Sequence, residues 1–289
     1  MMIKNRKGEI IVTNKKQNKL LKTLYGSVGG RIMLKLLTAP ALSRAAGRFM
    51  DSRLSKPLIK RFIRSSGIDT SQYVMYNFPS YNAFFTRSVK PEMRPVDMTP
   101  QHLISPCDSK LSVYRIDRKS IFRIKGSRYR ISDLIDHKFL ADRFNGGLCL
   151  IFRLEVDDYH RYCYIDSGVK TGNTFIEGVL HTVNPIALEK YNIYKRNSRE
   201  YTLIHTDNFG DVIQVEVGAM MVGRICNHDE AGPVKRGQEK GMFEFGGSTI
   251  VVLLEKGKAS IDKDILKNSA EGYETIVKYG EKIGTSLNS

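Results

Sequence analysis

Cysteine is scarce and poorly spaced for chemistry. The four cysteines, Cys107, Cys149, Cys163 and Cys226, form no Cys-x-x-Cys pair. That excludes a thiolate zinc site and a disulfide framework, and a reducing compartment is expected. The six histidines show no metal-ligand spacing, so no metal is expected. Tryptophan is absent, which excludes nothing by itself. No apolar run reaches the ~18 residues of a spanning helix. The best candidate, residues 34–46, is interrupted by Lys35, Pro40 and Arg44. The start, Met1 to Lys7, has no apolar core behind it, and no secretory leader is expected. No strand is followed by a dinucleotide-type glycine fingerprint, and no internal repeat stands out.

Acid is nearly missing from the first quarter of the chain. Residues 1–65 hold 16 Lys or Arg against only Glu9 and Asp51, a local charge of +14. The rest holds 30 basic and 28 acidic side chains. A basic arm therefore precedes a nearly neutral body. Such an arm meets nucleic acid or an anionic membrane. Nucleic acid is the poorer fit and no nucleic-acid partner is expected, because few aromatics are interleaved for base stacking.

Within the arm, residues 53–64 read as a helix. Ser55 is placed to cap it and Pro57 falls in its first turn. Leu54, Leu58, Ile59, Phe62 and Ile63 share one side, with Arg53, Lys56, Lys60, Arg61 and Arg64 on the other. A membrane interface and an ordinary surface helix packed on the core serve this pattern equally.

Hydrophobic residues at 41% argue for a folded body. Residues 82–87 lead into Pro91 and Pro95 and read as a linker-like crossing. Short strands are expected at 111–116, 121–124, 148–154, 212–217 and 250–254. Ser132 to Ile135 reads as a helix start, and Tyr273 to Tyr279 as helical. The expected class is α+β: a β-rich catalytic body of short, mostly antiparallel strands with an N-terminal basic helical region. The boundary is set as 1–79, membrane-facing, and 80–289, catalytic.

Chemistry gathers in loops beside strands. Asp108 follows a proline turn. His160 follows the 148–154 strand, with Asp157 and Asp158 before it and Arg161 behind. His181 stands in His-Thr-Val-Asn-Pro. Ser248 follows Gly246 and Gly247 and opens a strand. Asp, His and Ser on separate loops are the parts of a nucleophilic triad. A serine hydrolase places its nucleophile in Gly-x-Ser-x-Gly on a strand-to-helix elbow. Two glycines ahead of a strand suit attack on the chain's own Gly247 carbonyl better. Lys195, Arg196 and the Asn197-Ser198-Arg199-Glu200 run suit either an anionic headgroup or plain solvation, the latter favoured.

In order, Asp158-Tyr159-His160-Arg161, His181-Thr182-Val183-Asn184-Pro185, Asn208-Phe209-Gly210-Asp211 and Phe243-Glu244-Phe245-Gly246-Gly247-Ser248-Thr249 resemble the phosphatidylserine decarboxylase proenzymes. The likeness is to the bacterial branch with a Gly-Gly-Ser-Thr cleavage motif, over roughly residues 80–257. The arm matches in character only. The resemblance implies cleavage between Gly247 and Ser248, giving a β chain of 1–247 and an α chain of 248–289 that stay together as an α/β heterodimer. It implies that Ser248 becomes a covalent pyruvoyl cofactor, which forms a Schiff base with phosphatidylserine and releases phosphatidylethanolamine and CO2. Asp108 and a histidine would relay the proton from Ser248. Many members carry a second histidine three residues after the first; Cys163 stands there in this chain. Either His160 serves both steps or His181 supplies the missing imidazole. A peripheral place on the cytoplasmic face of the cell membrane follows. The rival readings are an unprocessed lipid-surface binding protein of the same fold and a pyruvoyl decarboxylase of a soluble amino acid.

Overall fold

The computed structural model describes residues 2–11, 40–117, 119, 121–124, 127–178, 197–218, 224–244 and 248–287. His181, Gly246 and Gly247 lie outside them, as does most of the arm between residues 12 and 39. The strands that position the site are β1 (Ile3–Lys4), β2 (Ser109–Arg115), β3 (Leu148–Leu154), β4 (Arg161–Cys163), β5 (Arg199–Thr206), β6 (Gly210–Gly218), β7 (Ile225–Asn227), β8 (Glu239–Phe243), β9 (Ser248–Leu254) and β10 (Glu274–Val277). The helices used below are α1 (Pro40–Asp51), α2 (Pro57–Ser66), α3 (Tyr81–Phe85) and α4 (Lys263–Ala270).

Among the described residues an 11-stranded sheet forms the centre, and within it β5, β6, β9, β3, β2, β10 and β1 lie side by side in that order. Every pairing in that run is antiparallel except β1 with β10. The sequence explains why β9 lies in the middle. Its Ser-Thr-Ile-Val-Val-Leu-Leu run is buried on both faces, as an internal strand requires. Val251 and Leu253 face one hydrophobic cluster with Ile151, Val215 and Phe144. Ile250, Val252 and Leu254 face another with Phe152, Leu154, Tyr162 and Phe243. The small sheet β7-β8-β4 contributes Tyr162 and Phe243 to that second cluster, so the Ser248 face is roofed by protein.

The α+β reading holds. The strand expected at 148–154 matches β3, and the one at 212–217 lies within β6. Residues 273–279 differ from expectation. Glu274–Val277 is a strand, because its Thr-Ile-Val run pairs with both β2 and β1. The helix of this region is α4, earlier in the chain.

The 53–64 region divides its two sides except at Leu54, which was expected on the apolar side and is exposed. Pro57 is the first residue of α2. Ile59 is buried, and Leu58, Phe62 and Ile63 pack on Phe78, Tyr81, Phe84 and Phe85. The apolar side from Leu58 to Ile63 is thus spent on the protein, while Arg53, Lys56, Lys60, Arg61 and Arg64 are exposed. Ser55 does not cap α2. Its hydroxyl donates to Met50 and Ser52 carbonyls and accepts from the Tyr81 N–H, tying the end of α1 and the turn before α2 to α3. Residues 82–87, expected as a linker, are instead the buried helix α3 and its exit, capped by Ser80 at the Ala83 N–H. The resulting aromatic cluster joins residues on both sides of position 79/80.

Candidate active site

Ser248 is the first residue of β9, and its side chain has no solvent exposure. Its backbone is opposite Leu154 at the end of β3 and opposite Gly218 at the end of β6. The chain turns just past Leu154 and brings His160 back to this strand end. Asp158 pins that turn: its carboxylate accepts from the Glu155 N–H at 2.7 Å and from Lys110 Nζ at 2.6 Å. Lys110 leaves β2 on the neighbouring strand, so the loop is fastened to the sheet.

His160 Nδ1 lies 3.4 Å from Ser248 Oγ, at the outer limit of a hydrogen bond. Its Nε2 lies 3.0 Å from the Glu155 carbonyl oxygen. A carbonyl only accepts, so Nε2 carries the proton and Nδ1 presents its lone pair to the serine. The ring stacks on Phe85 at 4.1 Å between centroids. Burial, followed by the Arg87 charge, lowers the His160 pKa to about 3. The imidazole is therefore neutral throughout the physiological range, with the Nδ1 lone pair unprotonated.

The other expected residues fall differently. Asp108 is buried at the start of β2. Arg94 grips it at 2.6–3.1 Å, Lys278 reaches it at 3.2 Å, and the Tyr279 N–H donates at 2.9 Å. Burial raises the Asp108 pKa, but Arg94 and Lys278 outweigh it and hold the carboxylate below its ordinary value. Among the described residues none of its hydrogen bonds goes to His160 or Ser248. The structure thus brings Ser248 and His160 together, while the hydrogen bonds of Asp108 go to Arg94, Lys278 and Tyr279. Cys163 is buried in β4, and burial pushes its thiol up to about 12, so it carries no thiolate at neutral pH.

Two quoted motifs are structural. Asn208 caps the β5–β6 hairpin by donating to Asp166, at the end of β6 remote from the Gly218–Ser248 pair. Arg199 is buried and donates to the carbonyls of Asp133 and Leu134, at the end of the 131–135 helix. It is neither solvated nor turned to a ligand.

Sequence reasoning missed three features. Phe85 supports the His160 ring. Arg87 sits beside it, 1% exposed. A buried ion pair, Lys240 to Glu216 at 2.8 Å, shares Asn227 and Gln214 as neighbours. Glu216 lies two residues before Gly218 on β6, so its side chain takes the same sheet face as Ser248. The Phe-Phe-Thr-Arg run was the available signal for the first two.

Comparison with known proteins adds the chemistry's name. Residues 81–285 match the phosphatidylserine decarboxylase family. Phosphatidylserine decarboxylase proenzyme 2 of Clostridium acetobutylicum is 45% identical over 277 residues, covering 96% of this chain and 95% of that one. A phosphatidylserine decarboxylase proenzyme of Clostridium tetani is 42% identical over 276 residues, covering 94% and 93%. One from Ruminiclostridium cellulolyticum is 41% identical over 276 residues, covering 93% and 92%. A family match over this length, with relatives at this identity and coverage, means that the chain belongs to the phosphatidylserine decarboxylase family and is a decarboxylase.

Proposed function

We propose that this chain cuts itself between Gly247 and Ser248 and then converts phosphatidylserine to phosphatidylethanolamine and CO2. The observation that carries the proposal is the unprotonated Nδ1 of a buried His160 facing Ser248 Oγ. His160 takes the hydroxyl proton as Oγ attacks the Gly247 carbonyl carbon. The peptide C–N bond breaks, the nitrogen takes that proton, and an ester joins Gly247 to the serine oxygen. Loss of the Ser248 Cα proton then breaks the Cβ–Oγ bond and frees a Gly247 carboxylate. Water replaces ammonia at the dehydroalanine left behind, which becomes the pyruvoyl group.

The Glu155 carbonyl does the orienting that a carboxylate does in a hydrolase triad. Asp108 supports His160 at one remove. It holds Tyr279, whose ring meets Tyr159, the neighbour of His160, at 5.8 Å. His181 lies outside the described residues and is given no step.

Ser248 fits the pyruvoyl role by its burial and its approach to a neutral base. The group supplies a carbonyl that accepts the electron pair left when CO2 departs. The protein contributes surroundings. Phe85, Phe152, Leu154 and Phe243 give part of the neighbourhood an apolar lining, which favours loss of a charged carboxylate as neutral CO2. His160 then holds or returns a proton at this spot.

Peripheral membrane binding fits the exposed basic side of α2 and the exposed Val74, Met75 and Tyr76 that follow it. Among the described residues no helix is long and apolar enough to cross a membrane. The test is CO2 release from carboxyl-labelled phosphatidylserine in vesicles and from free L-serine. Release from the lipid alone is expected. Release from serine alone favours the soluble-substrate reading, and release from neither favours the binding protein.

A further inference from the structure

Arg87 is the least satisfied charge near the site. Its side chain is 1% exposed, yet Nε and Nη2 have no hydrogen-bond partner among the described residues. Nη1 reaches only the Phe84 and Phe85 carbonyls, at 3.5 and 3.4 Å. The guanidinium lies over the Tyr73 ring at 4.1 Å and the Phe84 ring at 5.0 Å. Ring faces offset part of the burial of a cation, but they do not satisfy N–H donors. A buried cation short of acceptors is costly unless an anion completes it.

Its place in the chain says which anion. Phe85, two residues earlier, carries the catalytic imidazole. Tyr73, on the guanidinium face, is followed at once by Val74, Met75 and Tyr76, which are 46%, 43% and 60% exposed. From the exposed Tyr76 a line of rings runs inward: Phe78 at 4.0 Å, then Phe84 at 5.5 Å, with Arg87 beyond it. The segment thus has apolar surface at its outer end, an unpaired guanidinium inside, and the base beside it. A phospholipid has the same order of parts: acyl chains, phosphodiester, amine-bearing headgroup.

Resting on the function proposed above, we infer that Arg87 holds the phosphodiester of the lipid substrate and so sets specificity for a phosphorylated headgroup. The alternative anion is the substrate carboxylate. An arginine on that group would stabilise the charge that must vanish in the transition state, slowing the reaction it serves. A phosphodiester keeps its charge throughout and gains from a planar, two-pronged donor.

The test compares the full-length wild type with Arg87→Lys and Arg87→Gln. All three are expected to give two chains on a denaturing gel. KM for a short-chain phosphatidylserine is expected to rise at least tenfold in Arg87→Gln, with kcat within about threefold. Arg87→Lys is expected to fall between. Glycerophosphoethanolamine, which has the phosphodiester but no carboxylate, should inhibit the wild type and lose that effect in Arg87→Gln. L-serine, which lacks phosphate, should inhibit none of them through Arg87. Unchanged KM, or equal inhibition by glycerophosphoethanolamine in all three, overturns the assignment. Arg87-dependent inhibition by L-serine overturns it in favour of the carboxylate. Should Arg87→Gln not fold, the Lys variant decides by the same comparison, since it keeps the charge without the fork. If the wild type releases no CO2 from the lipid, it is the function that fails. Calorimetric binding of glycerophosphoethanolamine to wild type and Arg87→Lys then still decides on the site.

Discussion

His160 keeps a free lone pair on Nδ1 because its Nε2–H donates to the Glu155 carbonyl, which holds the proton on that nitrogen. Its pKa of about 3 has a thermodynamic consequence. The unfolded residue titrates near ~6.5. Between those values the unfolded chain binds a proton that the folded chain refuses, so stability falls as pH drops below ~6.5. The uncut variants Ser248→Ala and His160→Gln isolate this effect. Ser248→Ala is expected to lose melting temperature steadily from pH 6.5 to 4.5, and His160→Gln to lose much less. Equal slopes would show that His160 is not held neutral. His160→Gln is also expected to stay uncut. Ser248 and His160 were legible in the sequence because each stands in a dense local motif at a strand end. Asp108 was legible as an acid after a proline turn but not in its burial or partners, since Lys278 and Tyr279 come from the far end of the chain and Arg94 from across a loop. Arg87 was hidden because its meaning lies in what it lacks.

The sheet shows the same division between local and distant information at the scale of elements. β3 and β6 were readable from their own residues, because apolar runs and alternation record burial directly. β10 was not. Glu274–Val277 is short, and its partners β1 and β2 lie more than a hundred residues away, so tertiary pairing decided its conformation. α2 was readable as amphipathic, but not which way its apolar side would face. α3, at five residues, is too short to show a period, and it supplies the surface that α2 covers. The basic side of α2, beside the exposed Val74, Met75 and Tyr76, is therefore what the proposed membrane contact would use. Replacing Lys60, Arg61 and Arg64 together by glutamine is expected to weaken binding to phosphatidylserine-containing vesicles roughly a hundredfold at low salt, at about 1 kcal/mol per charge. The melting temperature should hardly move, because all three are exposed. Undiminished vesicle binding would remove α2 from the membrane contact.

Across the whole molecule, the proposed cut falls where the fold tolerates it. β9 begins at Ser248 and pairs on both sides, with β6 and β3, along the whole of Ser248–Leu254. β10 lies between β2 and β1 in the same way. The first residues of the basic arm also belong to this join. Arg6 contacts Asp262, Asp264 and Glu281, and Lys4 contacts Glu271, all beyond the cut. The charge excess of the arm was legible in the sequence, but this use of two of its cations was not, because the acids sit at the opposite end of the chain. The two chains are therefore expected to remain one complex under native conditions and to separate only on denaturation. The most direct measurement is the intact mass of the purified active protein, wild type and Ser248→Ala, under both conditions. The account predicts two chains for the wild type, the smaller beginning with a pyruvoyl group in place of Ser248, and one uncut, inactive chain for Ser248→Ala. A single intact chain in an active wild-type preparation would contradict it.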